Sequence, residues 1–163
     1  MSTVDLHRLP LVPAPDLARL FGDRTLPVPP DPNAGRLDRA RDALGIDTGD
    51  PRLLRCALTD PGWCNEAETP PWMLPWPGNR SLADIGGLLL EERGLGPAAA
   101  ACRAEELGLW DHLWLAVGQR SLRGPGRERV LARALAALVG ALVQDHAGEP
   151  QRAAEAVDVL LGC

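Results

Sequence analysis

The segment Glu128–His146 constrains the fold most, because it is the longest run of apolar residues at helical spacing in the chain. A helix that is apolar over so much of its circumference is buried, so other elements must surround it. The sequence therefore predicts a domain built around this one helix. The residues of its wide apolar face are Val130, Leu131, Ala134, Leu135, Leu138, Val139, Leu142 and Val143.

Several shorter segments also have helical spacing. The first is Leu37–Ile46, with Gly45 as the predicted C-cap. Asp50 and Pro51 open the second, as N-cap and first helical residue, and that helix is predicted to end before Pro61. No segment alternates with period two, so the predicted fold class is all-α. The remaining predicted helices are Asn79–Glu92, Ala98–Leu107, Trp110–Val117 and Gln151–Leu161.

Two proline-rich segments divide the chain. Residues 1–35 contain seven prolines and are interpreted as an arm that precedes a domain at residues 36–163, with room for one short helix at Asp16–Phe21. Glu66–Gly78 is predicted to be a stiff loop. Its Trp72 and Trp76 are candidates for a lid or for docking to a partner, and docking onto the chain's own domain is the alternative.

Composition and charge exclude several classes of protein. The formal charge of −5 does not indicate a nucleic-acid surface, which needs clustered basic residues. The four cysteines have no CxxC spacing, so neither a zinc site nor a disulfide framework is predicted. No run approaches about 18 apolar residues, and no N-terminal stretch has the pattern of a signal peptide. We therefore expect a cytoplasmic protein with no membrane segment and no cofactor.

A series of short patterns follows a fixed order along residues 36–163. The first pattern holds Asp50 and Pro51, then Ala57–Thr59, and is followed by Asp60 and Asn65. The next reads Asn-Arg-Ser-Leu-Ala-Asp-Ile-Gly-Gly. It is succeeded by a Leu-Gly-Leu turn and then by an alanine-rich apolar helix. These later patterns are Asn79–Gly87, Leu107–Leu109 and Ala132–Gly148.

Together these patterns resemble the catalytic domain of the ribonuclease III family. Where that family has a His, this chain has Asp60, while the Asn-Glu pair that follows in the family is kept as Asn65 and Glu66. The resemblance implies a ribonuclease III-like endonuclease-domain helical fold. It also implies that Asn79–Glu92 packs against Glu128–His146.

The chain departs from the family at the positions that carry the chemistry. The family cuts double-stranded RNA with metal ions that are held by four carboxylates. Asp84 stands one residue away from the first of these positions, which is about 100° around a helix. The resemblance therefore implies that metal-dependent nuclease activity and the metal site are lost. The four corresponding residues are Ala83, Gly87, Arg133 and Ala136.

Two functional hypotheses follow from the resemblance and its departures. The first is a scaffold or binding module that does not cleave or bind double-stranded RNA and that takes a protein partner or a small-molecule ligand. The second is a metal-independent enzyme of bacterial secondary metabolism, because the arginine-rich, lysine-free composition is typical of high-GC bacteria. In both cases the old nuclease cleft is the site. Its candidate polar residues are Asp60, Asn65, Asp84, Arg133, His112 and His146.

Some of these residues also have purely structural interpretations. His112 could be a residue of a helix surface, and His146 a favourable cation at a helix C-terminus. Arg133 could accept an anion, or it could pair with an acid such as Asp84 and fill the space that the metals leave. The resemblance also implies a homodimer, although Asp84 replaces a Phe that inserts into the partner subunit in the family.

Overall fold

The computed structural model describes residues 34–46, 48–66 and 78–162, and these residues form seven α-helices and two short 3₁₀ helices. The 3₁₀ helices are Leu109–His112 and Val117–Gln119. The described part contains no β-strand, so the predicted all-α class is confirmed. The α-helices are α1 Ala34–Leu44, α2 Pro51–Ala57, α3 Pro61–Glu66, α4 Arg80–Glu92, α5 Pro97–Glu106, α6 Gly124–Asp145 and α7 Pro150–Leu161.

Helix α6 lies at the centre of the domain, as its apolar face predicted. Every residue from Ala134 to Gln144 is buried in it. Helices α2, α4, α5 and α7 all pack against α6. The predicted packing of Asn79–Glu92 against Glu128–His146 is confirmed, because α4 makes the most extensive of these contacts.

Two glycines bring the backbones of α4 and α6 into direct contact. A Cβ atom on Gly86 would overlap the carbonyl oxygen of Ala136, and one on Gly140 would overlap the carbonyl oxygen of Leu82. Because the obstructing atoms belong to helix backbones, they cannot rotate away as a side chain would. Any larger residue at either position must therefore push the two helices apart.

The helix ends agree with the sequence signals at α1 and α2. Gly45 has a positive φ of 64°, as its predicted C-cap role requires. The Asp50 side chain accepts the backbone N–H of Arg52 at 3.0 Å and so caps α2, which begins at Pro51. Asp145, the last residue of α6, accepts the backbone N–H groups of Gly49 and Asp50, so it ties the start of α2 to the end of the central helix.

One helix was not predicted, and two predicted boundaries are wrong. The unpredicted helix is α3, which begins at Pro61. Trp110–Val117 is not one helix. The backbone is extended at Leu113, and Trp114 forms an isolated parallel β-bridge with Thr59. Helix α6 begins at Gly124, four residues before Glu128.

The described ranges leave some predictions outside the structure. Helix α1 begins at Ala34, so only the last two residues of the predicted arm at residues 1–35 are described. The short helix at Asp16–Phe21 and the tryptophans Trp72 and Trp76 lie outside the described residues. Among the helices that are described, none combines the length and apolarity needed to cross a membrane.

Substituting Gly86 by Ala should lower the free energy of unfolding by about 1–3 kcal/mol, because the new methyl group has no space between the helices. The matched control is Gly87→Ala on the same helix. A Cβ on Gly87 meets nothing within 4 Å, so this change should stabilise the protein by up to about 1 kcal/mol through helix propensity. Urea denaturation followed by circular dichroism measures both, and equal effects would contradict the contact between α4 and α6.

Candidate functional site

The carboxylate of Asp60 is the centre of the candidate site. Its side chain is only 2% exposed, yet it has polar partners on both oxygens. Oδ1 accepts the backbone N–H of Gly62 at 2.8 Å and the Nε2 amide of Gln119 at 2.7 Å. Oδ2 lies 3.5 Å from Nη1 of Arg133. Asp60 therefore joins α3, the second 3₁₀ helix and the central helix α6.

The local sequence explains how Asp60 is placed. Asp60 precedes Pro61 as Asp50 precedes Pro51, and each Asp side chain accepts an N–H two residues later, in the manner of an N-cap. Gly62 is required next to it, because a Cβ there would lie 2.6 Å from Oε1 of Gln119. The Asp-Pro-Gly sequence thus aims the carboxylate at Gln119 and leaves room for that amide.

Backbone hydrogen bonds hold this segment from two sides. On one side, Trp114 donates its N–H to Leu58 at 2.8 Å and accepts the N–H of Asp60 at 3.0 Å. On the other, Asn79 donates its backbone N–H to Thr59 at 2.9 Å, and its Nδ2 donates to the carbonyl of Ala57 at 3.1 Å. The position of the Asp60 carboxylate is therefore set by the backbone rather than by a flexible loop.

Gln119 completes the hydrogen-bonded frame around Asp60, because both the oxygen and the nitrogen of its side-chain amide have partners. Its Oε1 accepts the backbone N–H of Ala116 at 2.9 Å while its Nε2 donates to Asp60. These bonds fix which atom of the amide faces the carboxylate, because only the NH₂ group can donate. The 3₁₀ helix Val117–Gln119 is thereby attached to the N-terminus of α3.

A stack of arginine and tryptophan side chains lies beside this frame. The guanidinium carbons of Arg36 and Arg55 lie 4.4 and 4.1 Å from the ring centroid of Trp114, and Arg55 also lies 5.6 Å from that of Trp63. Such cation–π contacts hold planar side chains in a defined orientation. The stack is a structural support, since Trp114 is buried in it.

The two cysteines near Asp60 are not activated nucleophiles. Burial raises the pKa of Cys56 to about 12, with a further contribution from Cys64. Burial also raises the pKa of Cys64, and the negative charge of Asp60 adds to this. Because the thiolate is the nucleophilic form, both groups remain neutral and unreactive thiols near pH 7.

Arg133 is a charged member of the site that reaches the surface. Its side chain is 39% exposed, whereas that of Asp60 is almost fully buried. The side chain of Arg133 is therefore partly in solvent while its Nη1 lies beside Asp60. The arrangement can hold an arginine in a fixed orientation and present its remaining donors to a ligand.

The structure separates the other predicted site residues from this pair. His146 caps the C-terminus of α6, thirteen residues beyond Arg133, which is about 20 Å along the helix. His112 ends the first 3₁₀ helix and, within the described ranges, has no hydrogen bond or ion pair to Asp60 or Arg133. Arg133 does pair with an acid, as one of its two interpretations expected, but that acid is Asp60. Asp84, the example given, is exposed on α4 and forms no ion pair with Arg133 in the described residues. The side chain of Asn65 lies outside the described residues.

The four positions that the resemblance aligns with the family's carboxylates lie on α4 and α6, the two helices in direct contact. Ala83 and Gly87 are partly buried on α4, and Ala136 is buried on α6 at the contact with Gly86. Within the described ranges, no three His, Cys, Asp or Glu side chains are grouped so that they could hold a metal ion.

Sequence reasoning missed Gln119, Gly62 and Asn79 as members of the site. Gln119 lies in none of the predicted helices, and nothing in the sequence connects it to a residue 59 positions earlier. Gly62 had a usable signal, since the Asp-Pro pattern recognised at Asp50 recurs at Asp60. Its recurrence predicts a helix start and therefore a capped backbone N–H at position 62.

No protein-family model matches this sequence, and no curated protein matches it significantly.

Replacing Gln119 by Ala should lower the free energy of unfolding by about 1–3 kcal/mol, because the buried Asp60 carboxylate would lose one of its two hydrogen-bond donors. The neighbouring change Arg120→Ala is the matched control, because Arg120 is exposed, and its effect should stay within about 0.5 kcal/mol. Chemical denaturation of both variants decides the point. A neutral Gln119→Ala would mean that the amide does not support the site.

Proposed function

We propose that this chain is a catalytically degenerate ribonuclease III-like domain that acts as a scaffold or binding module and does not cleave double-stranded RNA. Support comes from the ordered residue patterns and from the direct packing of the two helices that carry the four former acid positions. None of those four residues is acidic in this chain. Removing even one metal-holding carboxylate usually lowers the rate of such an enzyme by orders of magnitude.

The ion pair between Arg133 and Asp60 carries this proposal. At a position where the family would have a metal-binding acid, a cation is held by a buried carboxylate. A guanidinium repels divalent cations, whereas a cluster of carboxylates attracts them. The charge at this position is thus opposite in sign to the charge that metal-dependent hydrolysis of a phosphodiester needs.

A repurposed enzyme is the second candidate, and the half-exposed guanidinium of Arg133 is the observation in its favour. An enzyme also needs a group that moves protons or attacks the substrate. The thiols of Cys56 and Cys64 have raised pKa values, and His146 lies about 20 Å along α6 from Arg133. Binding therefore has better support than catalysis.

Homodimerisation and a cytoplasmic location belong to the same proposal. Asp84 takes the place of the family's inserted Phe and is exposed on α4. Leu88 follows one turn later on the same face and is 46% exposed. Asp84 and Leu88 together give α4 a surface for a second copy of the chain. Leu88 would be buried in that contact, and the Asp84 carboxylate would stay in solvent at its edge.

Pure protein should produce no cleavage of a double-stranded RNA when Mg²⁺ or Mn²⁺ is added, in an assay where an active ribonuclease III serves as the positive control. The companion experiment restores carboxylates with the triple variant Ala83→Glu, Gly87→Asp and Arg133→Asp. If these positions converge as the resemblance implies, millimolar Mn²⁺ should raise the melting temperature of the variant but not that of the wild type. Cleavage by the wild type would overturn the proposal, and a variant indifferent to Mn²⁺ would refute the alignment with the family.

Light scattering at micromolar concentration should give the mass of a dimer, and Leu88→Glu should shift the population towards monomer by adding a charge to the proposed contact. Val159→Glu, on the exposed face of α7, is the control and should leave the mass unchanged. A wild-type monomer under these conditions would end the dimer proposal.

A further inference from the structure

We propose that Arg133 is the anchor of a site for a small oxyanion, the carboxylate or phosphate group of a ligand whose remainder lies in solvent. This inference rests on the binding role proposed above and adds the chemical class of the ligand. It follows from three observations: the partly occupied guanidinium, the rigid carboxylate behind it, and the small residues around it.

Most N–H donors of the Arg133 guanidinium have no protein partner in the described residues. An arginine side chain offers five N–H donors in a planar fork that matches the two oxygens of a carboxylate or phosphate. Asp60 lies beside Nη1 only, and in the part of the chain that the structure describes no other acceptor pairs with Arg133. With 39% of the side chain exposed, the outer edge of the fork is open to a ligand that accepts two hydrogen bonds.

The contact between Arg133 and Asp60 is itself incomplete. The distance of 3.5 Å exceeds an ordinary charge-assisted hydrogen bond, and Oδ2 is buried without a hydrogen-bond partner in the described residues. Asp60 therefore orients the guanidinium by its charge without using up its hydrogen-bonding capacity.

The rigidity of Asp60 makes this orientation useful for binding. Gly62 and Gln119 hold its Oδ1, and the backbone on both sides is bonded to Trp114 and Asn79. A fixed counter-charge restricts the rotamers of Arg133 before a ligand arrives. Pre-ordering a long side chain lowers the entropic cost of binding a ligand.

The residues next to Arg133 leave space for an anion. Ala132 directly precedes Arg133 on α6, and Ala136 follows about one turn later. On α4, a Cβ on Gly87, the neighbour of Gly86, would meet nothing within 4 Å. By contrast, a cavity of about 200 Å³ beside α5 is lined by Glu105 and Glu128, whose charges disfavour an anion.

The test is a titration of the whole protein with sodium phosphate and, separately, sodium acetate at pH 7, with ionic strength held constant by sodium chloride. Isothermal calorimetry should give saturable binding of at least one of them. Arg133→Ala should weaken it more than tenfold, and Arg133→Lys should weaken it in part, because an ammonium cannot make the paired contact. The matched control is Arg123→Ala, which removes an exposed charge ten residues earlier and should change affinity less than twofold.

Arg133→Ala leaves the buried Asp60 carboxylate without a counter-charge and could lose binding because it misfolds. The double variant Asp60→Asn with Arg133→Ala controls for this, because it removes both charges of the pair together. It should remain folded by circular dichroism and should not bind either anion. Absence of saturable binding to the wild type, or unchanged binding by Arg133→Ala, would overturn the anion site. Either result leaves the nuclease assay unaffected, so the anion site can fail while the proposed non-nuclease role stands.

Discussion

The backbone contact between α4 and α6 is the constraint on which the rest of the structure depends. Gly86 and Gly140 each occupy a point where a side chain would collide with the carbonyl of the opposite helix. This close approach buries α6 and sets the distance between α4 and α6. It also leaves little room for adjustment, since packed helix backbones do not yield as side chains do. Arg133 therefore stands on a rigid helix rather than on a mobile loop.

The Asp60 network shows how a buried charge can be retained in such a frame. A buried carboxylate is unfavourable unless hydrogen bonds and a counter-charge compensate it, and here Gly62, Gln119 and Arg133 supply both. The supporting groups come from three separate elements. Their cooperation explains why the second 3₁₀ helix, which has few apolar contacts of its own, is held in place against α3.

The functional interpretation depends on a reversal of charge. Metal-dependent hydrolysis of a phosphodiester needs clustered carboxylates that face one another across two helices. In this chain the residues that the proposed resemblance aligns with such carboxylates are Ala83, Gly87, Arg133 and Ala136, and none of them is acidic. A site of this kind is suited to hold an anion and unsuited to hold a divalent cation. The same helical frame thus favours binding over hydrolysis.

The sequence by itself determined the all-α class, the buried central helix and the caps at Gly45 and Asp50, because these depend on periodicity and on local backbone chemistry. It also identified Asp60 and Arg133 as candidates. Only the tertiary structure decided that these two pair with each other and that Gln119 joins them. Asp60 and Arg133 are 73 positions apart in the sequence, and no local pattern encodes which distant side chains meet. The extended turn at Trp114 was missed for the same reason, since its bridge to Thr59 overrides the helical preference of its own segment.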